Sequence, residues 1–244
     1  MFGLSNSKKV LRRSAIAAPL VITALVSGCS SVNDIATAQF EVTVTNLSNA
    51  QPMSPVAVVA HNDQFRSFTL GEPASVPIET LAEGGDNSAY ITEANNDTNV
   101  FATASGAGLL MPGASETIDL NVNLAYLGTL SLSAVSMFVN TNDAIVALNS
   151  KSLSDMSVDA VQSFNAITYD SGTEANSETA DSIPGPAASG GAAEGFNAAR
   201  DDVRDAVFVH AGVITQDDGL STSVLTHAHR WDNPSVRIVV ERVR

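Results

Sequence analysis

Short runs of alternating apolar and polar residues most constrain what this chain can fold into. The segment 118–124 alternates without a break, and in the last segment, 236–243, Val236, Ile238 and Val240 share one face and Arg237, Val239 and Glu241 the other. Successive side chains of a β-strand point to opposite faces, so this period of two predicts strands with one buried face. Similar alternating or β-branched apolar runs predict further strands at 40–46, 56–61, 100–104, 130–139, 145–148, 164–169 and 207–213.

Turn residues separate these runs, and one segment has helical character. Ile78 to Glu83 is predicted to form one or two helical turns, with Pro77 near the start and Gly84-Gly85 at the end. Many short strands with turns between them predict an all-β fold, an antiparallel β-sandwich with short helical additions. A long acidic loop rich in Gly, Ala and Ser, 171–200, has almost no large apolar side chain to bury, so we expect it to be mobile or ordered by a ligand.

The first 28 residues are typical of a lipoprotein signal peptide. Four basic residues precede an apolar run, 15–26, that is shorter than the roughly 20 residues of a membrane-spanning helix. The run ends in Val26-Ser27-Gly28-Cys29, which has the lipobox pattern of bacterial lipoproteins. We therefore predict that Cys29, the single cysteine, carries the lipid and that 29–38 is an anchor and tether. The alternative is a plain secretory signal with a cysteine there by chance.

The charge of the chain excludes one class of partner. It has 12 basic and 26 acidic residues, and four of the basic ones lie in the signal peptide, so the chain from Cys29 onward carries 8 − 26 = −18. A surface of this charge repels nucleic acid and anionic headgroups. It suits divalent cations, although simple solubility in a salty habitat explains it equally well. We therefore predict no nucleic-acid partner.

Sequence motifs of enzymes are missing. The chain has no Gly-x-Ser-x-Gly, no His-Glu-x-x-His and no phosphate-binding glycine loop. A Ser–His–Asp trio leaves no such signature, because its members meet only in space. His61 is interpreted as a hydrogen-bonded core histidine, and His210 and Trp231 as packed at a rim. His227 and His229 lie on one side if their segment is extended, which would be a weak transition-metal site.

Several segments follow one another in a recognisable order. They include Phe40–Leu47, Gln51-Pro52-Met53-Ser54-Pro55, Met137–Asp143, Tyr169–Asn176 and Trp231-Asp232-Asn233-Pro234. This ordered set resembles the spondin N-terminal domain, which occurs in F-spondin and mindin of animals and in many bacterial exported proteins. The match covers 39–244, so we expect this range to be one domain without a disulfide.

The resemblance implies a calcium site at one end of the sandwich. Asp143 matches the aspartate after the mid-domain strand, and Asp170 matches the first acid of a motif of the type Asp-Ala-Gly-Thr-Asp. Glu174 stands at the second acid of that motif. For a third acid, from an earlier strand, Asp119 is the best match and Glu116 competes with it. Calcium takes six to eight hard oxygen ligands. The alternative is that these are solvated loop acids of an acidic protein.

Together these features predict a lipid-anchored binding or adhesion module at the outer membrane or cell surface, stabilised by calcium and not enzymatic. Its expected partners are the membrane, through the lipid, and a glycan, extracellular matrix or another surface protein. An envelope hydrolase or processing factor is the alternative. A pocket with a histidine beside a serine would favour the hydrolase, whereas an open acidic rim of loops would favour the binding module.

Overall fold

The computed structural model describes residues 36–154, 156–188, 199 and 204–244. The predicted signal peptide, Cys29 and the tether up to residue 35 lie outside the described residues. So does most of the second half of the Gly/Ala/Ser-rich loop, which leaves the prediction for that part untested.

Strands dominate the described chain, and two α-helices accompany them. The helices are α1 (Val76–Gly84) and α2 (Ser88–Asn96). The strands are β1 (Thr37–Asn46), β2 (Ala57–His61), β3 (Val100–Ser105), β4 (Ser115–Asn123), β5 (Ser131–Met137), β6 (Ala144–Ser152), β7 (Val161–Asp170), β8 (Phe208–Val209) and β9 (Val236–Arg242). All strand pairs are antiparallel, so the predicted all-β antiparallel fold is confirmed. The strand predicted over 207–213 is much shorter than expected.

One strand joins the two halves of the sheet. The strand order is β3-β2-β5-β6-β7-β9-β1-β4, with β8 added beside β7. The first part of β7, 161–166, pairs with β9, whereas 167–170 pairs with β6. The ends of the path, β3 and β4, lie in contact, so the folded sheet nearly closes on itself. The main core lies between the two halves and includes Phe40, Val44, Leu132, Val146 and Ile238.

The alternation read from the sequence is visible in the burial of β1 and β4. Every second residue of β1 is buried, and Ile118, Leu120 and Val122 of β4 face the same core. The opposite face is polar, where the hydroxyls of Thr43 and Thr117 are hydrogen-bonded across the two strands at 2.8 Å. This is the pattern of an antiparallel sheet with one solvated face.

A layer of helices covers the outer face of β2 and β5, which explains why every residue of these strands is buried. Ile78 and Leu81 of α1 and Tyr90 of α2 pack there with Val59 and Val135. As predicted, Pro77 lies in the first turn of α1, and Gly85 ends it in the left-handed conformation at φ 71°. Among the described residues, no helix is long and apolar enough to cross a membrane.

Candidate functional site

Two predicted acidic residues meet at one end of the sheet. Asp143 immediately precedes β6, and Asp170 is the last residue of β7, where it pairs with Ala144. Because the two strands are antiparallel neighbours, the start of β6 and the end of β7 share one edge. Both side chains are fully buried. The structure therefore brings two of the four predicted ligands together, in the interior and not on an open loop.

The loop after β7 folds over Asp143 and holds one of its oxygens. Oδ2 of Asp143 accepts hydrogen bonds from Ser171 Oγ and Thr173 N, both at 2.9 Å, and from Glu174 N at 3.1 Å. Thr173 Oγ1 lies 3.3 Å away from the same atom. The other oxygen, Oδ1, has a long contact of 3.4 Å with Asn142 Nδ2. The described start of the Gly/Ala/Ser-rich loop is thus ordered by a buried carboxylate of the chain itself.

Asp170 organises the same loop from its base. Its Oδ1 accepts a hydrogen bond from Gly172 N at 2.9 Å, two residues further on, which is the geometry of an Asx-turn. Its Oδ2 accepts one from Asn176 Nδ2 at 2.5 Å. Gly172 has φ 71°, a left-handed conformation that favours glycine. The sequence Asp-Ser-Gly-Thr therefore carries its own signal for this turn.

His210 faces the carboxylates from the segment beside β7. Its backbone N donates to Thr168 O at 3.1 Å, and its ring lies 5.1 Å from that of Trp231. Nδ1 accepts a hydrogen bond from Gly212 N at 2.8 Å, so the proton of the neutral ring is on Nε2. Nε2 lies 4.0 Å from Asp170 Oδ2, and no hydrogen-bond partner reaches it among the described residues. The sequence placed His210 at a rim, but it is a buried neighbour of the site.

Burial changes the protonation of the cluster. Loss of water, reinforced by the charge of Asp170, raises the pKa of Asp143 from 3.8 to about 6. Loss of water lowers the pKa of His210 from 6.5 to about 4, and the nearby Asp143 opposes this shift. Stability linked to Asp143 is therefore present below pH 3.8 and lost as the pH rises through 6. Stability linked to His210 is present above pH 6.5 and lost as the pH falls through 4, so the two trends oppose each other.

Because the two pH dependences oppose each other, removing the imidazole of His210 should reveal the pH dependence of stability that comes from Asp143. In the presence of EDTA, His210→Asn should lose stability between pH 4 and 6 where the wild type stays nearly level, by about 2 kcal/mol. Asparagine retains an acceptor near the position of Nδ1 for Gly212 N. Urea unfolding across this pH range measures the difference. His227→Asn, at an exposed histidine, is the control and should keep the wild-type profile. Parallel profiles for wild type and His210→Asn would contradict the prediction.

The other predicted acids lie elsewhere or contribute through the backbone. Asp119 is exposed in the middle of β4, opposite Glu41 on the solvated face, and is not brought to Asp143 and Asp170. Glu116 accepts a hydrogen bond from Ala107 N at 2.6 Å, near the start of β4. Glu174 reaches the site with its backbone, since its N–H donates to Asp143 and its carbonyl accepts from Asn142 Nδ2 at 3.2 Å.

One buried acid near the site, Glu178, was missed by the sequence analysis. Glu178 is buried, and its Oε1 and Oε2 accept hydrogen bonds from Ile214 N at 2.6 Å and Ser223 Oγ at 2.5 Å. Burial raises the pKa of this carboxyl. The side chain thus fastens the segment that precedes β9 to the loop after β7. Only its place in an acidic, small-residue stretch was visible in the sequence, which gives no signal for this role.

The other histidines named in the sequence analysis lie in a turn and in the core. His227 and His229 lie in a 3-10 turn, so the extended arrangement assumed for them is wrong, and His229 Nδ1 accepts from Thr226 N at 3.0 Å. His61 is a buried core histidine as interpreted, and its Nε2 lies 2.8 Å from Ser133 Oγ. Ser133 is also fully buried, and Phe65 packs on the imidazole at 4.9 Å. His61 and Ser133 thus form a hydrogen-bonded pair inside the core.

The site consists of two carboxylates, Asp143 and Asp170, each hydrogen-bonded to the loop after β7, with the neutral ring of His210 beside them. Within the described ranges, no three histidine, cysteine, aspartate or glutamate side chains are grouped so that they would hold a metal ion. No model of a known protein family matches the chain, and no curated protein matches it in sequence. The resemblance to the spondin N-terminal domain therefore stays a prediction from the residues.

Proposed function

We propose that this chain is a lipid-anchored surface module, held at the outer membrane or cell surface through Cys29, that binds its partner with the end that carries Asp143 and Asp170. The observation that supports it is the position of this pair. β1 begins at Thr37, within the last two residues of the proposed tether, and its last residue, Asn46, lies at the same end of the sheet as the start of β6. A ten-residue strand is about 30 Å long. The carboxylate pair would thus lie at the end of the sheet that is farther from the membrane.

Calcium is the proposed ion at this pair, with two carboxylates and not four. Asp143 Oδ1, with its long contact to Asn142, and Asp170 Oδ2, beside the hydrogen bond that it accepts from Asn176, are the proposed carboxylate ligands. The carbonyls of Glu174 and Ala175 lie beside Asn142. Hard oxygen donors of this kind suit calcium. Oδ2 of Asp143 already has its donors, and the proton on His210 Nε2 makes that ring unsuitable as a ligand. Such a set supports weak binding, and the ion would supply positive charge between two buried carboxylates.

Calcium should therefore raise the melting temperature modestly. At calcium a hundredfold above its Kd, a ligand that binds only the folded state adds about 2.7 kcal/mol. Extracellular modules often bind calcium at roughly 10⁻⁴ to 10⁻³ M. Thermal melts with EDTA, calcium and magnesium measure the effect, and magnesium should act less because it requires a tighter octahedral shell.

Matched variants test the site of the calcium response. Asp143→Asn keeps an oxygen for the loop donors and removes one charge, so it should fold and lose most of the calcium shift. Asp119→Asn, on the exposed face of β4, should retain the full shift. A wild type that does not respond to calcium, or an equal response in both variants, would remove calcium from the proposal.

Anchoring is tested separately at Cys29. Cys29→Ser should leave the protein unprocessed or release it from the membrane fraction, because the serine oxygen does not replace the thiol as the lipid acceptor. Cell fractionation together with mass spectrometry of the N-terminal peptide measures this. Lipidated protein recovered from the Cys29→Ser strain would show that the anchor is elsewhere. The partner class can then be sought with glycan and matrix arrays, comparing wild type with Asp143→Asn.

A further inference from the structure

Four strand termini mark the end of the fold from which the proposed tether leaves. Ala36 O accepts a hydrogen bond from Leu124 N at 3.0 Å, so the end of β4 lies beside the start of β1. Arg242 of β9 pairs with Phe40, and Val161, the first residue of β7, pairs with Glu241. We call this the tether end. Asp143, Asp170 and Leu109 lie at the opposite end, since Leu110 is bridged through Met53 to Phe138, just beyond β5.

Large apolar side chains are exposed at the tether end. They are Leu124, Tyr126, Val158 and Val161, whose exposed fractions lie between 41 and 57%. The ring of Tyr126 is stacked on Phe101 at 4.2 Å with an angle of 6° between the planes, so it is held in place although it is half exposed. Val158 lies beside Asp159, whose backbone N donates to Arg242 O at 2.7 Å. Exposed apolar residues also occur elsewhere, with Leu47, Leu109 and Met111 at the opposite end, so what distinguishes these four is their position beside the proposed tether.

We infer that the tether end rests on the lipid bilayer, with Leu124, Tyr126, Val158 and Val161 in contact with the headgroup region. This inference depends on the proposed lipid anchor at Cys29. Seven residues lead from Cys29 to Ala36, and even fully extended they reach about 25 Å. Ala36 is hydrogen-bonded to Leu124, so an acyl chain in the bilayer would keep Leu124 within about that reach of the surface. Tyrosine is a residue that membrane–water interfaces favour.

Local charge supports the same orientation. The chain from Cys29 onward is strongly acidic, which disfavours approach to phosphate headgroups. Three of its eight basic residues, Lys151, Arg242 and Arg244, nevertheless lie at the tether end, where Lys151 is opposite Leu132 near the start of β5. Acidic residues lie there too, namely Asp159 and Glu241 and, beside the end of β2 and the start of β3, Asp63 and Asp97. The basic residues therefore balance the local charge, and the apolar side chains make the contact.

Labels at the two ends test this orientation on the full-length lipidated protein. Cys29 carries the lipid, so a cysteine introduced by Tyr126→Cys or Val158→Cys can be labelled alone with an environment-sensitive fluorophore. Leu109→Cys is the matched control, because Leu109 is a 61% exposed aliphatic residue at the opposite end. The proteins are reconstituted in zwitterionic vesicles that contain nitroxide-labelled lipid. We expect severalfold stronger quenching at 126 and 158 than at 109.

The outcomes separate the inference from the anchor on which it depends. Equal quenching at all three positions, on protein that floats with the vesicles, overturns the inference and leaves the anchor standing. Shielding from a water-soluble quencher without quenching by lipid indicates a second copy of the chain on this end and also overturns the inference. Protein that does not float, or has no acyl chain on Cys29, overturns the anchor and the inference with it. Tyr126→Cys removes the stack of Tyr126 on Phe101, whereas Val158→Cys keeps it, so the result at 158 does not depend on that loss.

Discussion

Asp143→Ala is expected to destabilise the fold by about 4 kcal/mol, because it leaves several donors of the loop after β7 without an acceptor. The backbone N–H groups of Thr173 and Glu174 and the hydroxyls of Ser171 and Thr173 point at one carboxylate oxygen. A buried donor without an acceptor costs about 1–3 kcal/mol. The substitution also removes the charge of Asp143, which lies close to that of Asp170. Relief of this repulsion returns part of the loss, since the charge of Asp170 raises the pKa of Asp143. The hydrogen bonds outweigh the repulsion because four donors converge on one oxygen.

Two variants distinguish the hydrogen bonds from the charge. Asp143→Asn keeps an acceptor oxygen and should cost much less than alanine at neutral pH. Asp119→Ala removes an exposed carboxylate from the solvated face of β4 and should change the stability by no more than about 0.5 kcal/mol. Urea unfolding of the three variants, with equal slopes, gives the comparison. If Asp143→Ala were as mild as Asp119→Ala, the loop would not depend on this carboxylate.

Gly172→Ala is the second substitution for which we expect a large loss, of about 3–4 kcal/mol. Two costs add up at this position. Gly172 has φ 71°, which is unfavourable for any residue with a Cβ. In addition, the new Cβ would overlap the backbone of Ala206, with the backbone N only 2.5 Å away. The chain must then shift, and with it the hydrogen bond from Gly172 N to Asp170.

Gly113→Ala is the matched control, because Gly113 has nearly the same φ, 74°, but nothing within 4 Å of its added Cβ. It should therefore show the conformational cost alone, about 1 kcal/mol. Denaturant unfolding of both variants separates backbone strain from the close approach of Ala206. Equal losses would mean that the segment around Ala206 yields without resistance and does not help to hold the loop.

The strands were predictable because the face on which a β-residue lies is set by its immediate neighbours. The same alternation already separates Asp119 from the core, since Ile118 and Leu120 on either side of it face inward. Asp119 was assigned to the metal site through the resemblance, and its own strand pattern was the better guide. Asp143 and Asp170 were also assigned through the resemblance, and the structure brings them together because both adjoin a strand end and the ends of neighbouring strands meet.

Other features depend on contacts that no local pattern reveals. Helix α2 was missed because it buries only Tyr90 and Ala94, which is too little apolar periodicity to detect in the sequence. His210 lies in a predicted strand of which two residues pair, and its approach to Asp170 depends on the path of the chain beyond β8. The burial of Asp143 was also unforeseen, because acids next to glycine and serine resemble a solvated loop until the loop is seen folded over them.

The position of β9 also affects the order of assembly. β9 lies between β7 and β1, and Asn46 pairs with Val236, so strands far apart in the chain are direct neighbours. Contacts of such high sequence separation slow folding, because a long loop must close before they form. Until β9 pairs with β7 and β1, the β1–β4 pair meets the rest of the sheet chiefly where β4 contacts β3. If the chain is exported as proposed, the sheet is completed only after nearly the whole sequence, up to β9, has crossed the membrane.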